Sequence, residues 1–177
     1  MKGSKIAGRY ATALLEISIE QNKLEQVLGD MKYLLEVNNE TLDFQLLLDS
    51  PVVKGDKKIA IFGELFGQFE EVTTSFVKLI TNNGRESYLP SIAEAFDAQV
   101  KQYKGIVPIT IISATTLENS TRDIIISKVE KSVTGQLEIT ELIDESLIGG
   151  FIVRMGDKQI DASVASQFNE LKQRLTR

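Results

Sequence analysis

The sequence predicts an all-α amino-terminal domain, a six-helix bundle, followed by a small α/β domain. Over roughly the first hundred residues, apolar side chains recur at three- and four-residue steps, the spacing that lines one face of a helix. The composition then changes to β-branched residues in "IVPITIIS" (106–113), which is typical of a strand. We therefore expect one domain over residues 1–105 and a second over 106–177.

Six apolar segments define the predicted helices. The first begins near Ser4, a plausible N-cap, and the third must end before Pro51, which cannot continue a helix. Gly84 in "TNNGRES" suits the left-handed conformation that closes the fifth helix. Short links between the helices favour a compact bundle. The segments are 6–17, 24–37, 38–51, 59–66, 69–80 and 90–103.

The first predicted helix is apolar around more than one stripe. Beside the main face of Tyr10 and Leu14, small and apolar residues continue on the flanks. These flanking residues are Ala7, Ala11, Ala13, Leu15 and Ile19. The pattern alone leaves two interpretations open. Either the helix is central and buried on several sides, or it forms part of a groove that lets the backbone of a partner approach closely.

The second domain is predicted to alternate strands and helices. After the strand at 106–112, "LENSTRDIIISKVEKSVTG" predicts a helix that Asn119 or Ser120 caps, with Ile124, Ile125, Val129 and Val133 on its covered side. "QLEITELID" (136–144) predicts a second strand with Leu137, Ile139, Leu142 and Ile143 as its apolar positions.

The stretch "IGGFIVRMGDKQIDASV" (148–164) predicts a hairpin that leads into a final helix. Gly156 and Asp157 form a turn pair between two short strands, and Asp161 or Ser163 is placed to cap the helix that follows. The apolar side of that helix is Val164, Phe168, Leu171 and Leu175.

Two chemical interpretations of the same stretch are weaker. A nucleotide-binding loop needs Lys followed by Ser or Thr after its glycines, and here the glycines enter a strand instead of a helix N-terminus. Asp144 with Glu145, or Asp157 with Asp161, could serve as an acid and base pair. Turn and cap roles already explain these carboxylates, so the hairpin interpretation is favoured.

Composition excludes several classes of function. The chain of 177 residues has no Cys and no His, which excludes disulfides, zinc sites built from these residues and a Ser-His-Asp triad. Its net charge of −5, without a basic block, argues against nucleic-acid binding. No apolar run approaches the roughly 18–20 residues that cross a bilayer. We expect a cytosolic protein without catalytic residues, metal or cofactor.

Three segments carry a family resemblance. "RYATALLEISIE" (9–20), "NNGR" (82–85) and the hairpin stretch at 148–164 resemble the delta subunit of bacterial and chloroplast F-type ATP synthases, which is related to the mitochondrial oligomycin-sensitivity-conferring protein. The likeness runs in order through essentially the whole chain. Ala162 departs from the glycine that is frequent in the family, and alanine only requires ordinary φ there. The signature residues are Gly149, Gly150, Gly156, Asp157, Asp161 and Ser163.

The resemblance implies a non-catalytic stator subunit. In the family, the helical domain binds the amino-terminal helix of an alpha subunit, and the α/β domain engages the b subunits of the peripheral stalk. It also implies a peripheral position at the cytoplasmic face of the cell membrane, which the protein meets only through the complex. The alpha-binding groove of the family, between the first and fifth helices, maps to Tyr10, Ala13, Leu14, Ile17, Val27, Phe76, Val77 and Ile80.

Two alternatives compete with the stator interpretation. A free cytosolic helical adaptor would use the same groove for another amphipathic helix. A carboxylate-dependent enzyme would use Asp157 and Asp161. The adaptor is predicted to remain in the soluble fraction, and the enzyme to lose turnover on Asp157→Asn without loss of folding.

Overall fold

The computed structural model describes residues 2–130, 135–156 and 158–175. The chain forms two compact units, Met1–Val100 and Lys101–Arg177. The first unit is helical and the second is built on a four-stranded mixed sheet. This confirms a helical amino-terminal region followed by a smaller α/β region.

Helices and short links make up the first unit. Its elements are α1 (Lys2–Glu20), α2 (Leu24–Glu40), α3 (Leu42–Asp49), α4 (Gly55–Leu65), α5 (Glu71–Asn82), a 3₁₀ turn (Glu86–Tyr88) and α6 (Leu89–Tyr103). α3 ends at Asp49, just before Ser50 and Pro51, because proline cannot continue a helix. Each apolar segment in the sequence therefore corresponds to a helix within a few residues.

One apolar face of each longer helix supplies the core of this unit. Leu14 and Val27 have no exposed surface, and neither do Ile80, Ile92 and Phe96. Burying a large apolar side chain stabilises a fold by about 1.5–3 kcal/mol. Packing of these apolar faces therefore holds the helices together. The charged residues lie mainly on the outer faces of the helices.

Two predicted helix starts are wrong. α1 begins at Lys2, so Ser4 lies inside the helix and is not its N-cap. α5 begins at Glu71, and Phe69 lies in the link before it. There the Asp30 side chain of α2 accepts hydrogen bonds from the Glu70 N–H at 2.9 Å and the Thr73 hydroxyl at 2.6 Å. A tertiary contact, which the local sequence does not reveal, thus fixes the start of α5.

The second unit is a sheet with strand order β2-β1-β3-β4. Its elements are β1 (Ile106–Ser113), α7 (Asn119–Glu130), β2 (Gln136–Ile143), β3 (Gly150–Met155), β4 (Lys158–Ser163) and α8 (Val164–Leu175). β1 and β2 are parallel and α7 connects them, whereas β1 with β3 and β3 with β4 are antiparallel. β3 and β4 form the predicted hairpin, with Met155 opposite Lys158.

Alternation along the central strands builds the core of the second unit. Ile109, Ile111 and Val153 point to the sheet face that packs against Ile125 and Val129 of α7. Three apolar positions expected to be covered are not: Ile124 is 57% exposed, Leu142 is 50% exposed and Ile143 is 60% exposed. Ile124 is adjacent to Ile125, and neighbouring helix positions lie about 100° apart, so only one of them faces the sheet.

Some predictions for this unit are wrong or lie outside the described residues. α7 begins at Asn119, and the Glu118 carbonyl accepts the Arg122 N–H at 3.0 Å, so neither Asn119 nor Ser120 is the N-cap. Val133 and Asp157 lie outside the described residues, as do the side chains of Leu171 and Leu175. In the part of the chain that is described, no helix is long and apolar enough to span a membrane.

Candidate partner-binding groove

α1 and α5 run antiparallel, with a groove between them. Tyr10 lies opposite Phe76, while Gln21 and Glu71 lie together at the other end. The groove has a volume of about 460 Å³. Its walls are Leu14 and Ile17 of α1, Gln21 just after α1, and Glu71, Val72, Ser75, Phe76 and Leu79 of α5. The lining is apolar in its middle and polar toward the Glu71 end.

The groove exists because each helix buries one stripe and leaves the adjacent stripe open. Phe76 and Leu14 are buried, and they form the floor. Ile17 and Leu79 are 41% and 53% exposed, and they form the two edges. Because these edges are apolar and unshielded, another apolar surface that covered them would gain hydrophobic free energy.

Arg85 and Tyr10 close one end of the groove. An Arg85 guanidinium N–H donates a hydrogen bond to the Tyr10 hydroxyl, and its central carbon lies 5.6 Å from the centre of the Tyr10 ring. The Tyr10 ring meets the Phe76 ring edge to face, at 6.3 Å and 75°. Tyr10 therefore contacts both Phe76, in the floor of the groove, and the positively charged Arg85.

The "NNGR" segment explains how Arg85 reaches α1. Gly84 has φ +65, and its N–H donates to the Thr81 carbonyl at 2.9 Å. The Arg85 N–H donates to the Ile80 carbonyl at 3.0 Å. This pair of hydrogen bonds is a Schellman motif, which ends α5 and reverses the chain. The reversal places the Arg85 side chain beside Tyr10.

The structure distributes the eight predicted groove residues over three environments. Leu14, Ile17 and Phe76 line the groove, and Tyr10 borders it. Ala13 is exposed on α1, outside the lining. Val27, Val77 and Ile80 lie in the core, with at most 4% of their surface exposed. These three belong to the core of the helical unit and do not form the surface of the groove.

Sequence reasoning missed the α5 edge of the groove. Leu79, Val72 and Ser75 line it, together with Gln21 and Glu71. Spacing alone gave no signal for this edge, because Leu79 and Ile80 lie three and four residues after Phe76, and both positions fit the apolar face of one helix.

The far end of the groove carries acidic groups and one ion pair. Glu71 is exposed there, and Lys23 Nζ contacts Glu70 Oε2 at 2.5 Å. The hydrogen bond and the charge of Glu70 raise the pKa of Lys23. Glu71 is the carboxylate in the groove wall, and its charge also contributes to the raised pKa of Lys23.

The signature at the β3–β4 hairpin has a structural role. Gly150 has φ +80, and a Cβ at this position would lie 2.4 Å from the Ala162 carbonyl oxygen. A Cβ at Gly149 would lie 3.1 Å from Val164 Cγ2 at the start of α8. The glycine pair thus lets the chain pass close to the junction of β4 and α8. Gly156 has φ +53 and follows β3 in the turn.

Ser163 caps α8, and Asp161 holds the capping segment in place. The Ser163 N–H donates to Asp161 Oδ1 at 2.9 Å, and the Ser166 hydroxyl donates to Oδ2 at 2.8 Å. The Ser163 hydroxyl accepts the Ser166 N–H at 3.3 Å. Hydrogen bonds from Ser163 and Ser166 lower the pKa of Asp161 below its usual value. A carboxyl held ionised in this way supports the cap, and is a poor proton donor near neutral pH.

Asp144 also has a local structural role. Asp144 accepts hydrogen bonds from the Ser146 N–H and hydroxyl, which lower its pKa. Within the described residues there is no group of three His, Cys, Asp or Glu residues that could hold a metal ion. Asp157, the partner of Asp161 in the enzyme hypothesis, lies outside them.

Comparison with known proteins identifies the family. The family model of the ATP synthase delta (OSCP) subunit matches residues 6–175. ATP synthase subunit delta of Cytophaga hutchinsonii is 33% identical and aligns over 99% of this chain and 97% of its own length. The subunit of the same name from Carboxydothermus hydrogenoformans is 32% identical, over 97% of each chain.

A solved structure shares the fold. A chain of the mitochondrial ATP synthase hexamer of Toxoplasma gondii superposes with a TM-score of 0.75 over 97% of each chain, at 24% identity. The family model and the full-length relatives agree with this fold, and the chain belongs to the ATP synthase delta (OSCP) subunit family.

Proposed function

We propose that this protein is the non-catalytic stator subunit of an F-type ATP synthase. Its domains, residues 1–105 as a six-helix bundle and 106–177 as an α/β domain, link the catalytic head to the peripheral stalk. The chain holds the head against rotation, so that proton transport drives ATP synthesis in other subunits. It lies at the cytoplasmic face of the cell membrane and reaches the membrane only through the complex.

The observation that carries this proposal is the uncovered apolar groove. Ile17 and Leu79 expose apolar surface on its two edges, and Leu14 and Phe76 provide a floor. A groove of this kind accepts one amphipathic helix through residues spaced three and four apart. The proposed occupant is the amino-terminal helix of an alpha subunit. Of the residues that the resemblance implies, Leu14, Ile17 and Phe76 line this surface, Tyr10 borders it, and the others lie outside its lining.

The energetics suit a stator. Burying about 800 Å² of apolar surface, at about 25 cal/mol per Å², corresponds to about 20 kcal/mol of gross hydrophobic free energy. Lost translational freedom and side-chain ordering remove a large part of this. What remains is compatible with a long-lived complex, and a long lifetime reflects a slow off-rate.

The second unit is the proposed docking site for the b subunits. Val164 and Phe168 lie on the apolar side of α8 and are 47% and 69% exposed. Ile160 on β4 is also exposed. An amphipathic helix normally buries its apolar side, so this side of α8 is suited to contact a helical stalk.

A sedimentation experiment tests the stator role. The purified protein is added to membranes that carry the ATP synthase but have been stripped of their own delta subunit, and to matched membranes from cells without b subunits. The stator role predicts that the protein sediments with the first membranes and restores coupled ATP synthesis. Recovery in the supernatant of both samples would contradict it and would favour a free cytosolic adaptor.

A further inference from the structure

The two ends of the groove between α1 and α5 carry side chains of opposite charge. Arg85 and Arg9 stand at the end that Tyr10 closes, where Arg9 is the exposed neighbour of Tyr10 in α1. Glu71 forms part of the wall at the opposite end, and the exposed Glu20 is the neighbour of Gln21 there. Lys23 is also at this end, where it pairs with Glu70, so one ammonium stands among the carboxylates of Glu20, Glu70 and Glu71. One end of the groove is therefore basic and the other is acidic on balance.

We propose that this polarity fixes the direction in which a partner helix lies in the groove. The occupant is an amphipathic helix with acidic side chains in its first turn and basic side chains in its last turn. Its amino-terminal end lies beside Arg85, its carboxy-terminal end lies beside Glu71, and it runs parallel to α1. The inference rests on the proposed function, in which this helix is the amino terminus of an alpha subunit.

Apolar contacts alone do not select a direction. Leu14 and Ile17 on one side, and Phe76 and Leu79 on the other, present similar apolar surface to either orientation. The reversed orientation would place acid against Glu71 and base against Arg85. Like charges brought together at an interface are destabilising, so charge decides between orientations that the apolar surface leaves equal.

Side-chain charge dominates over the dipole of the partner helix. The positive end of a helix dipole carries about half a charge, and it would favour the Glu71 end. Acidic residues in the first turn bring whole charges, and they also neutralise that dipole. Arg85 can receive such a carboxylate because a guanidinium has five N–H donors, of which the contact with the Tyr10 hydroxyl uses a donor on Nη1.

The length of the groove limits the partner segment. From Tyr10 to Gln21, which directly follows α1, is about 16 Å at the helical rise of about 1.5 Å per residue. A partner therefore contacts the groove over about three turns. Its acidic and basic residues must be about three turns apart to meet both ends at once.

Paramagnetic broadening measures the direction directly. The probe is a synthetic peptide that copies the amino-terminal helix of the alpha subunit of the same complex, with a nitroxide on a cysteine added at its first or its last residue. The full-length chain has no Cys, so the label stays on the peptide. We expect the first-residue label to remove the amide signals of Tyr10 and Arg85, and the last-residue label those of Gln21 and Glu71.

The outcomes separate the two proposals. Binding with the opposite broadening pattern, or with equal broadening at both ends, overturns the direction and leaves the stator role standing. A peptide that does not bind contradicts the proposed function, and the inference fails with it.

A pair of variants tests the cause of the direction. Arg85→Gln is expected to lower the affinity for the same peptide about threefold, as for an exposed ion pair, and to weaken its dependence on salt. Lys78→Gln is the matched control, because Lys78 is exposed on α5 but lines a separate cavity with Ile59 and Phe62. Equal effects of the two substitutions would show that Arg85 has no specific role in seating the helix.

Discussion

Arg85 donates a hydrogen bond to the hydroxyl of Tyr10, although the two residues are 75 positions apart in the chain. Each belongs to a segment that carries the family resemblance, "RYA" at the start and "NNGR" after α5. The Schellman motif that ends α5 directs Arg85 toward α1. The two segments thus form one structural unit at the end of the groove.

Removing the Tyr10 hydroxyl tests the strength of this contact. We expect Tyr10→Phe to lower the free energy of unfolding by about 0.5–1 kcal/mol, since one hydrogen bond is lost while the ring contact with Phe76 remains. The measurement is urea denaturation followed by far-UV circular dichroism. Tyr33→Phe, at an exposed tyrosine of α2, is the control, and an equal loss in both variants would argue against the Arg85 contact.

A buried lysine makes the second prediction. Lys58 is 1% exposed, and its ammonium donates to Glu86 Oε1 at 2.5 Å and to the Leu48 carbonyl at 3.0 Å. We expect Lys58→Met to cost about 3 kcal/mol of unfolding free energy, because it leaves the largely buried Glu86 carboxylate without its partner. Urea denaturation measures the loss.

The double variant separates the charge effect from a packing effect. Lys58→Met with Glu86→Leu is expected to recover most of the loss, since no uncompensated charge remains. Lys57→Met, at an exposed neighbour in α4, should change stability by less than about 0.5 kcal/mol. A double variant as unstable as the single one would mean that the ion pair is not the cause.

Gly150 provides a prediction for the second unit. We expect Gly150→Ala to destabilise this unit by about 1–3 kcal/mol, since φ is +80 and the added Cβ would meet the Ala162 carbonyl oxygen. Amide hydrogen exchange of β3 and β4 measures the change locally. Gly29→Ala is the contrasting variant. It lies in α2 with no atom within 4 Å of its Cβ position, and it should gain about 0.5–1 kcal/mol.

Capping of α8 predicts a dependence on pH. The pKa of Asp161 is lowered in the folded state, so its contribution to stability is present above the ordinary carboxyl pKa of about 3.9. It is lost as the pH falls through the lower folded value. We expect Asp161→Asn to be less stable than wild type at neutral pH, and the difference to shrink below about pH 4.

Urea denaturation at several pH values measures this difference. Asp123→Asn, at an exposed carboxylate of α7, is the control and should show little change at any pH. A difference between wild type and Asp161→Asn that stays constant with pH would contradict the cap as the source of the shift.

The sequence predicted the elements well and their tertiary contacts poorly. Among the described residues, periodicity indicated most of the α-helices and strands but not the 3₁₀ turn Glu86–Tyr88, because the same apolar spacing both forms an element and buries it. The hairpin and the Ser163 cap followed from turn and cap chemistry. Helix starts were less certain, and the start of α5 depends on Asp30 of α2.

The groove itself was only partly predictable. Apolar spacing cannot distinguish Ile80, which is fully buried, from Leu79, which forms an edge of the groove, since both interrupt polar sequence in the same way. The contact of Arg85 with Tyr10, like that of Lys58 with Glu86, joins residues that are distant in the chain. Such pairs become visible only when the helices are packed.

Calorimetric titration with the alpha-subunit peptide tests the central claim most directly. The full-length protein is expected to bind the amino-terminal alpha helix one to one, and Ile17→Glu should weaken binding by at least about tenfold because it buries an unpaired charge. Leu46→Glu is the matched control, at an exposed leucine of α3 outside the groove, and should leave the affinity unchanged. Absence of binding heat at several temperatures, or equal weakening by both substitutions, would contradict the assignment of the groove as the docking site of the stator.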